Sequence, residues 1–368
     1  MHLPAAEKKE YLTQQLITYI GNKRSLLDFI GDGIKKVQKK LNKNKLKMFD
    51  VFSGSGITAR YFKQFCDLLI VNDLEKYSSV INGCYLSNED ELNLALLREF
   101  YQEIISKTNK GLKKGIISDF YAPVDDTNIK SGERVFYTTR NAMYIDTVRQ
   151  LINQIPQDEQ KFFLAPLLSE SSIHTNTSGV FKGFYKNKKG IGQYGGNNKN
   201  ALKRITGEIN LPFPVFSNFN CEAIVHNKDA NTIIGSIPEV DIAYLDPPYN
   251  QHPYGSNYFM LNLILDYDYP KTTSKISGIP QNWNRSVYNK GTQTLNALTF
   301  LVENINAKYL LISFNSEGFI NIEQMKDMLN KYGKVEVLET KYNTFKGSRN
   351  LNSRDIHVKE YLYLLEKA

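Results

Sequence analysis

The sequence predicts an α/β protein built on a sheet with parallel strands. Two apolar runs, MFDVFSG (48–54) and DLLIVND (67–73), flank a segment of helical spacing, ITARYFKQF (57–65). A buried strand, a glycine turn, a helix and a second buried strand follow one another as in a βαβ unit. The sheet is then interrupted and resumes far downstream. Its later strands are predicted at 223–230, 240–249, 307–315, 334–340 and 360–367.

Helices are expected around these strands. Residues 1–30 contain a polar lead-in, a YIGNK turn and a helix that starts near Ser25, a residue type suited to the N-cap. The spacing of apolar residues predicts further helical segments in 78–112 and 316–333. These helices would cover the two faces of the sheet.

The amino-acid composition and the spacing of apolar residues change between residues 113 and 220. This stretch is rich in Gly, Asn, Lys and Tyr, and helical spacing persists only in 139–172. We therefore predict one α/β domain, made of 1–112 and 221–368, that is interrupted by an inserted region, 113–220.

The amino-acid composition excludes some classes of protein and favours others. The 368 residues include 46 Lys and Arg against 38 Asp and Glu, a net charge of +8, with 41% hydrophobic residues. Such a chain can bury a large core, which excludes an intrinsically disordered protein. The positive charge favours an anionic partner such as nucleic acid, although it also serves solubility alone.

Cysteine usage and hydropathy indicate an intracellular protein. Cys66, Cys84 and Cys221 form no CxxC pair, which argues against a disulfide framework and against a zinc site of the usual spacing. No apolar run approaches the roughly 18 residues that span a bilayer. We expect a cytoplasmic protein with no membrane segment and no bound metal.

The first motif with chemical meaning is the turn that follows the first strand. It reads Asp50-Val51-Phe52-Ser53-Gly54-Ser55-Gly56, and its glycines would let a ligand approach the backbone closely. Asp73 follows Gly54 by 19 positions, a spacing suited to an acceptor for ribose hydroxyls. Together they favour a nucleoside-containing ligand. The alternatives are an ordinary strand-to-helix turn and a helix cap at Asp73.

The second motif is Asp246-Pro247-Pro248-Tyr249, after the predicted strand VDIAYL. The two prolines end the strand and remove two N–H donors, which leaves a rigid loop of acceptors. Such a loop can accept hydrogen bonds from the N–H groups of a planar amine and so fix its orientation. Tyr249 offers a face on which a base can stack. The alternative is a tight turn with an exposed tyrosine.

Taken together, these motifs resemble those of the amino-methylating DNA methyltransferases that use S-adenosylmethionine. The resemblance is to the adenine-specific class similar to DNA adenine methylase, in the alpha motif order, over about 19–85 and 220–365. It implies a Rossmann-like methyltransferase fold with a mixed seven-stranded sheet, and it makes the insertion the target-recognition region.

The resemblance also assigns the S-adenosylmethionine site. Tyr19-Ile20-Gly21-Asn22-Lys23 is similar to an aromatic–x–Gly–Gly–Lys motif, with Asn22 in place of the second glycine. It implies that Lys23 pairs with the carboxylate of the cofactor and that Asp229 contacts its adenine, the alternative for Asp229 being a helix cap. The implied cofactor residues are Tyr19, Lys23, Asp50, Phe52, Ser53, Gly54, Gly56, Asp73, Leu74, Asp229, Ala230 and Asp246.

The implied reaction is methylation of an adenine that has been rotated out of duplex DNA. Asp246 and the carbonyl of Pro247 would accept hydrogen bonds from the amine, and Tyr249 would stack on the base. Residues implied to bind the substrate are Tyr249, Asn257, Asn315, Lys182 and Arg349. Within the insertion, a β-hairpin over 176–189 and side chains such as Arg140, Asn176 and Arg204 are predicted to meet the DNA.

Three readings of the function remain open from the sequence. The first is a restriction–modification methylase, a monomer at the nucleoid that is paired with a cognate endonuclease. The second is an amino-methyltransferase for ribosomal RNA, on guanine or adenine, and the third is an inactive DNA-binding regulator. Protein-amide and cytosine-amine enzymes more often carry Asn or Ser at position 246, which counts against them.

Overall fold

A computed structural model describes residues 6–343 and 357–368. Its described strands form one seven-stranded sheet in the order β3-β2-β1-β4-β5-β7-β6. Strands β1 to β5 are parallel, and β7 lies antiparallel between β5 and β6. The expected mixed seven-stranded sheet is confirmed. The strands are β1 (Leu46–Asp50), β2 (Cys66–Asn72), β3 (Glu222–His226), β4 (Val240–Leu245), β5 (Ala307–Asn315), β6 (Gly333–Asn343) and β7 (His357–Lys367).

The helices connect and cover these strands. Among residues 6–343 and 357–368, no helix is both long enough and apolar enough to cross a membrane. The helices are α1 (Lys9–Thr13), α2 (Leu27–Leu41), α3 (Ile57–Phe62), α4 (Lys76–Tyr85), α5 (Leu94–Asn109), α6 (Ile116–Tyr121), α7 (Thr139–Ile152), α8 (Gln157–Ile173), α9 (Leu202–Thr206), α10 (Ala230–Ile233), α11 (Tyr254–Asn257), α12 (Phe259–Asp266), α13 (Gly291–Asn304) and α14 (Ile322–Leu329).

Apolar side chains of the helices cover both faces of the sheet. On one face, Ile34 of α2 and Phe62 of α3 share a core with Tyr244 of β4. On the other face, Leu298 of α13 and Met325 of α14 pack in a core that includes the inward side chains of β1, β4 and β5. Every residue of β4 is buried, as expected of a central strand covered on both sides.

The region 113–220 does not have a hydrophobic core to itself. Phe163 and Leu167 of α8 share one continuous core with Ile81 of α4 and Ile264 of α12. Helices from before, within and after the predicted insertion therefore form one helical layer beside the sheet. This layer holds the segment that follows β4 in place.

Two helix starts differ from the sequence prediction. Ser25 is not an N-cap, because a 3₁₀ turn over Arg24–Leu26 precedes α2, which begins at Leu27. The last predicted helix begins at Ile322 rather than near 316, where Asn321 and Gln324 form a reciprocal capping box. In the second case the capping box marks the helix start more accurately than the spacing of apolar residues does, because its side chains accept hydrogen bonds from the free backbone N–H groups at the start of the helix.

Candidate active site

A cleft opens at the carboxyl ends of β1, β2 and β4. In this sheet the strand order reverses between β1 and β4, and open α/β sheets bind ligands at such a reversal. The cleft has about 820 Å³ of space, including the part open to solvent. The predicted site residues that line it are Tyr19, Lys23, Phe52, Ser53, Gly54, Asp73, Leu74, Asp229, Ala230, Asp246 and Pro248.

The glycine turn forms the floor of this cleft. Gly54 and Gly56 adopt positive φ angles of 51° and 77°, which L side chains rarely adopt. The N–H of Gly54 donates to Asp73 Oδ2 at 2.8 Å. A Cβ atom on Gly54 would lie 2.8 Å from the ring of Tyr19. Both the backbone angle and the overlying tyrosine therefore require glycine at position 54.

Two acidic residues lie at the end of β2. Asp73 accepts backbone hydrogen bonds from Gly54 and, at 2.8 Å, from Glu75, and burial raises its pKa to about 6. Glu75 is buried in the same cleft, where Asn262 donates to its Oε2 at 2.8 Å. Burial, followed by the charge of Asp73, raises the pKa of Glu75 to about 7. Asp73 thus shapes the turn, and Glu75 adds a second carboxyl that the sequence reasoning did not single out.

An aromatic wall closes one side of the cleft. Tyr19 stacks against Tyr254 and Tyr258 with ring centroids 4.9 and 4.8 Å apart. The hydroxyl of Tyr254 donates to the carbonyl of Ile20 at 3.1 Å. The N-terminal motif is therefore joined to the segment that follows the Asp-Pro-Pro-Tyr loop.

The opposite end of the cleft carries Asp229 and a second pair of rings. Asp229 Oδ1 accepts from the N–H of Asn231 at 2.9 Å, so it caps α10 and lines the cleft at the same time. Phe52 meets Tyr288 edge-to-face with centroids 5.0 Å apart. The hydroxyl of Tyr288 donates to Asn231 at 2.7 Å. Phe52 and Tyr288 thus add an apolar aromatic part to the cleft lining.

Asp246 lies where β4 ends, with 17% of its side chain exposed. Its Oδ1 is 3.1 Å from Nζ of Lys23, which in turn lies 2.7 Å from Oε1 of Glu360. Burial raises the pKa of Asp246 to about 6, against the lowering effect of Lys23. Burial lowers the pKa of Lys23, but the two carboxylates outweigh this and hold it well above its usual range.

Tyr249 lies beside this ion-paired group. Nζ of Lys23 is 5.6 Å from the centre of its ring, and Phe314 meets the ring at 5.7 Å. The backbone carbonyl of Tyr249 accepts from the N–H of Phe319 at 3.0 Å. The half-buried ring is thus held near Asp246, although it is not part of the cleft lining itself.

Other predicted site residues lie outside the cleft lining. Asp50 is buried beneath the glycine turn, where Thr58 donates to it at 2.8 Å and burial raises its pKa to about 8. Asn257 is buried, and its carbonyl accepts from Phe181 at 2.7 Å. The remaining residues outside the lining are Gly56, Pro247, Asn315 and the exposed Lys182, while Arg349 lies beyond the described residues.

Several insertion residues that are predicted to meet the DNA also make hydrogen bonds within the fold. Arg204 donates to the carbonyl of Thr175 at 3.0 Å, Arg140 to that of Ile209 at 2.8 Å, and Asn176 to that of Val135 at 2.8 Å. The predicted hairpin over 176–189 is wrong in its register. The antiparallel bridge joins Lys186 and Gly192, because the tight turn falls at 187–190.

Sequence reasoning missed the residues that reach the cleft from distant segments. Asn284 donates to the carbonyl of Leu74 at 3.1 Å across 210 positions, and no local motif marks it. Glu75 had a usable signal, since it is an acidic residue two positions after Asp73 at the end of a predicted strand. The lining residues that the sequence did not mark are Ile57, Thr58, Glu75, Gly255, Asn284, Ser286, Tyr288 and Asn289, whereas Gly21, Asn22, Ser55 and Asn72 lie within or beside the predicted motifs and Tyr254 follows the Asp-Pro-Pro-Tyr loop.

The strand order, the glycine turn and the acidic residues after β2 define a Rossmann-like S-adenosylmethionine-dependent methyltransferase. The chain belongs to the D12 class N6 adenine-specific DNA methyltransferase family, whose model matches residues 19–328. It is thus an adenine-specific DNA methyltransferase that takes its methyl group from S-adenosylmethionine.

Curated relatives agree with this family. The chain is 31% identical to type II methyltransferase M.NlaIII of Neisseria lactamica, over 96% of this chain and 100% of that protein. It is 31% identical to M.CviAII of Paramecium bursaria Chlorella virus 1, over 95% of this chain and 98% of that one. M.FokI of Planomicrobium okeanokoites is 28% identical over 95% of this chain but 52% of its own length.

Proposed function

We propose that the protein methylates one adenine within a short DNA sequence, and that the loop Asp246–Tyr249 holds this adenine outside the duplex. The observation that carries the proposal is the placement of Asp246. Its carboxyl group lines the cofactor cleft, and Lys23 holds one of its oxygens at 3.1 Å. A carboxylate held in this way can accept a hydrogen bond from an amine at the mouth of the cleft.

The cleft fits S-adenosylmethionine. The backbone at Gly54 and the ring of Tyr19, which packs directly over it, both line the cleft, and Phe52 with Tyr288 provides an apolar place for the adenine ring. When bound, the cofactor supplies an electrophilic methyl group on its sulfonium. Asp229 and Ala230 would border its adenine, and Tyr19 its methionine end.

We assign the ribose hydroxyls to Glu75 rather than to Asp73. Both carboxylate oxygens of Asp73 already accept backbone N–H groups, from Gly54 and Glu75. Glu75 lines the cleft and is oriented by Asn262 and Asn284. A carboxyl group that is fixed by side-chain amides at one oxygen can present the other to a hydroxyl group.

Lys23 acts, in this proposal, on Asp246 and not on the cofactor's carboxylate. Only 4% of the Lys23 side chain is exposed, and its Nζ already lies 3.1 Å from Asp246 and 2.7 Å from Glu360. The catalytic steps then fall to the loop. Asp246 and the Pro247 carbonyl accept hydrogen bonds from the two N–H groups of the adenine amine, Tyr249 stacks on the base, and the amine lone pair is aimed at the methyl group; the methylated amine then loses one proton.

The DNA itself would lie across the helical layer. We propose 113–220 as the target-recognition region, with the turn at 187–190 and its exposed lysines Lys188 and Lys189 toward the phosphates. Lys182, Asn257, Asn315 and Arg349 remain proposed substrate contacts. A restriction–modification role, with a cognate endonuclease, a monomeric enzyme and a place at the nucleoid in the cytoplasm, belongs to the same proposal.

The test is transfer of labelled methyl groups to unmethylated duplex DNA of mixed sequence, read by single-molecule modification sequencing. We expect methylated adenines that share one short context. Methylation of RNA in preference to DNA would refute the proposal in favour of an RNA enzyme. Absence of S-adenosylmethionine binding would favour an inactive DNA-binding regulator, and cofactor binding without any transfer would indicate a missing partner or a different acceptor.

Replacing Gly54 with alanine is expected to weaken S-adenosylmethionine binding by about tenfold or more. Position 54 has a positive φ, which costs an L residue about 1–2 kcal/mol. The added Cβ would also press on Tyr19, so the turn and the ring that line the cleft would have to shift. Isothermal titration measures the change. Gly235→Ala is the matched control, because a Cβ there meets no atom within 4 Å, and its affinity should equal that of the wild type.

The rate of methyl transfer is expected to fall below about pH 6. Asp246 is the stronger acceptor for the amine N–H as a carboxylate, and burial raises its pKa to about 6. Activity should therefore rise as the pH increases through this value. Initial rates at saturating cofactor, with cofactor binding measured over the same range, test this. A flat profile from pH 5 to 8 would contradict it.

A further inference from the structure

Glu360 is a buried carboxylate on β7 that belongs to no motif found in the sequence. It is 2% exposed and pairs in register with Asn315, at the end of β5. Its Oε1 accepts from Nζ of Lys23 at 2.7 Å and from the hydroxyl of Ser313 at 2.7 Å. A charged group at this depth is retained only where its partners are well placed.

Lys23 is therefore one cation between two anions. Its Nζ lies 2.7 Å from Glu360 and 3.1 Å from Asp246 Oδ1, and only 4% of the side chain is exposed. The shorter distance is the one to Glu360, so the lysine is anchored on β7 and reaches Asp246 from there. Without this anchor, Asp246 would be the sole counterion in reach and would draw the ammonium toward both of its oxygens.

We propose that Glu360 is a positioning residue for methyl transfer, which acts through Lys23 to hold Asp246 with one oxygen bound and the other available to the substrate amine. The proposal rests on the function proposed for Asp246. Glu360 itself touches neither the substrate nor the cofactor cleft. Its negative charge also offsets that of Lys23, so that Asp246 remains a strong acceptor.

The charges around Asp246 set the direction of the expected effect. The groups that face it are Lys23, Glu360, Asp50 at the end of β1, and the phenols of Tyr244 and Tyr254. Burial raises the pKa of Asp246, Lys23 lowers it and Glu360 raises it. Removing the charge of Glu360 leaves Lys23 unopposed and must lower the pKa of Asp246.

The decisive variant is Glu360→Gln, which keeps the shape and removes the charge. We expect kcat to fall roughly 10- to 100-fold, because a displacement of about 1 Å in a reacting group costs about 10²-fold. The acid limb of the pH–rate profile should move to lower pH, while KM for cofactor and DNA stays within about twofold. Glu360→Asp keeps the charge and should leave the acid limb near that of the wild type.

Glu366→Gln is the matched control on the same strand. Glu366 is 43% exposed and pairs with Lys40, so both kcat and the acid limb should be unchanged. A Glu360→Gln enzyme with wild-type kcat would overturn the proposal. So would a loss of kcat and of thermal stability with no movement of the acid limb, since that pattern reports a merely structural role.

A second measurement separates this proposal from the function on which it rests. A ¹³C NMR titration of the Asp246 carboxyl group, assigned with Asp246→Asn, needs no turnover. A lower pKa in Glu360→Gln supports the coupling even if the wild-type protein transfers no methyl group to DNA. An equal pKa in both proteins overturns it.

Discussion

Replacing Asp246 with alanine is expected to lower kcat for DNA methylation by at least about 10³-fold, which in most assays is a complete loss. The variant loses the acceptor for the amine proton and the partner that holds Lys23 at 3.1 Å. Binding of S-adenosylmethionine and the thermal midpoint should change little, because the side chain lies at the edge of the cleft. Rates of labelled methyl transfer and cofactor titration measure the two effects separately.

Asp266→Ala is the control for this substitution. Asp266 ends α12 and pairs with Lys76 on the surface, where 51% of its side chain is exposed. It should retain the wild-type kcat. Normal turnover by Asp246→Ala would refute the proposed catalytic role, whereas a loss of cofactor binding would place Asp246 in the cofactor site alone.

Replacing Lys23 with methionine is expected to cost about 3–5 kcal/mol of stability at neutral pH, as removal of one partner from a buried ion pair does. The carboxyl groups of Asp246 and Glu360 would then face each other without a cation. Burial already raises the pKa of Asp246, and loss of Lys23 would raise it further, so part of the lost stability is regained as the pH falls and Asp246 takes up a proton. Methyl transfer at pH 7 should be lost with it.

Urea unfolding of this variant and of the wild type at pH 5 and pH 8 measures the effect. The deficit in the free energy of unfolding should be smaller at pH 5. Lys36→Met is the matched control, since Lys36 pairs with Glu336 on the surface and is 43% exposed. An exposed pair contributes about 0–1 kcal/mol. Equal deficits for the two lysine variants would contradict the buried network.

The parts of the site that follow a strand were predictable from local sequence. Gly54, Asp73 and Asp246 each come directly after a buried apolar run, and the carboxyl ends of parallel strands meet at one edge of the sheet. The glycine turn and the double proline restrict the backbone through their own chemistry. Such features do not depend on distant residues, so the sequence alone indicated a nucleoside cofactor and an amine substrate.

The insertion shows what local sequence does not reveal. Arg140, Asn176 and Arg204 were predicted to meet DNA because they are polar and lie in a basic region, and in the fold each donates to a backbone carbonyl. Residue type alone does not distinguish a phosphate contact from a structural one. Only the position of the carbonyl groups decides between them.

The sequence by itself determined the order of strands and helices, the glycine turn, the acidic residues after β2 and the Asp-Pro-Pro-Tyr loop. Tertiary structure alone decided which charges surround the carboxylate of Asp246. Lys23 and Glu360 are 337 positions apart, and they meet because β7 inserts next to β5 in an antiparallel register. Periodicity and spacing encode the local backbone, whereas the partners of a buried charge depend on how distant strands are ordered in the sheet.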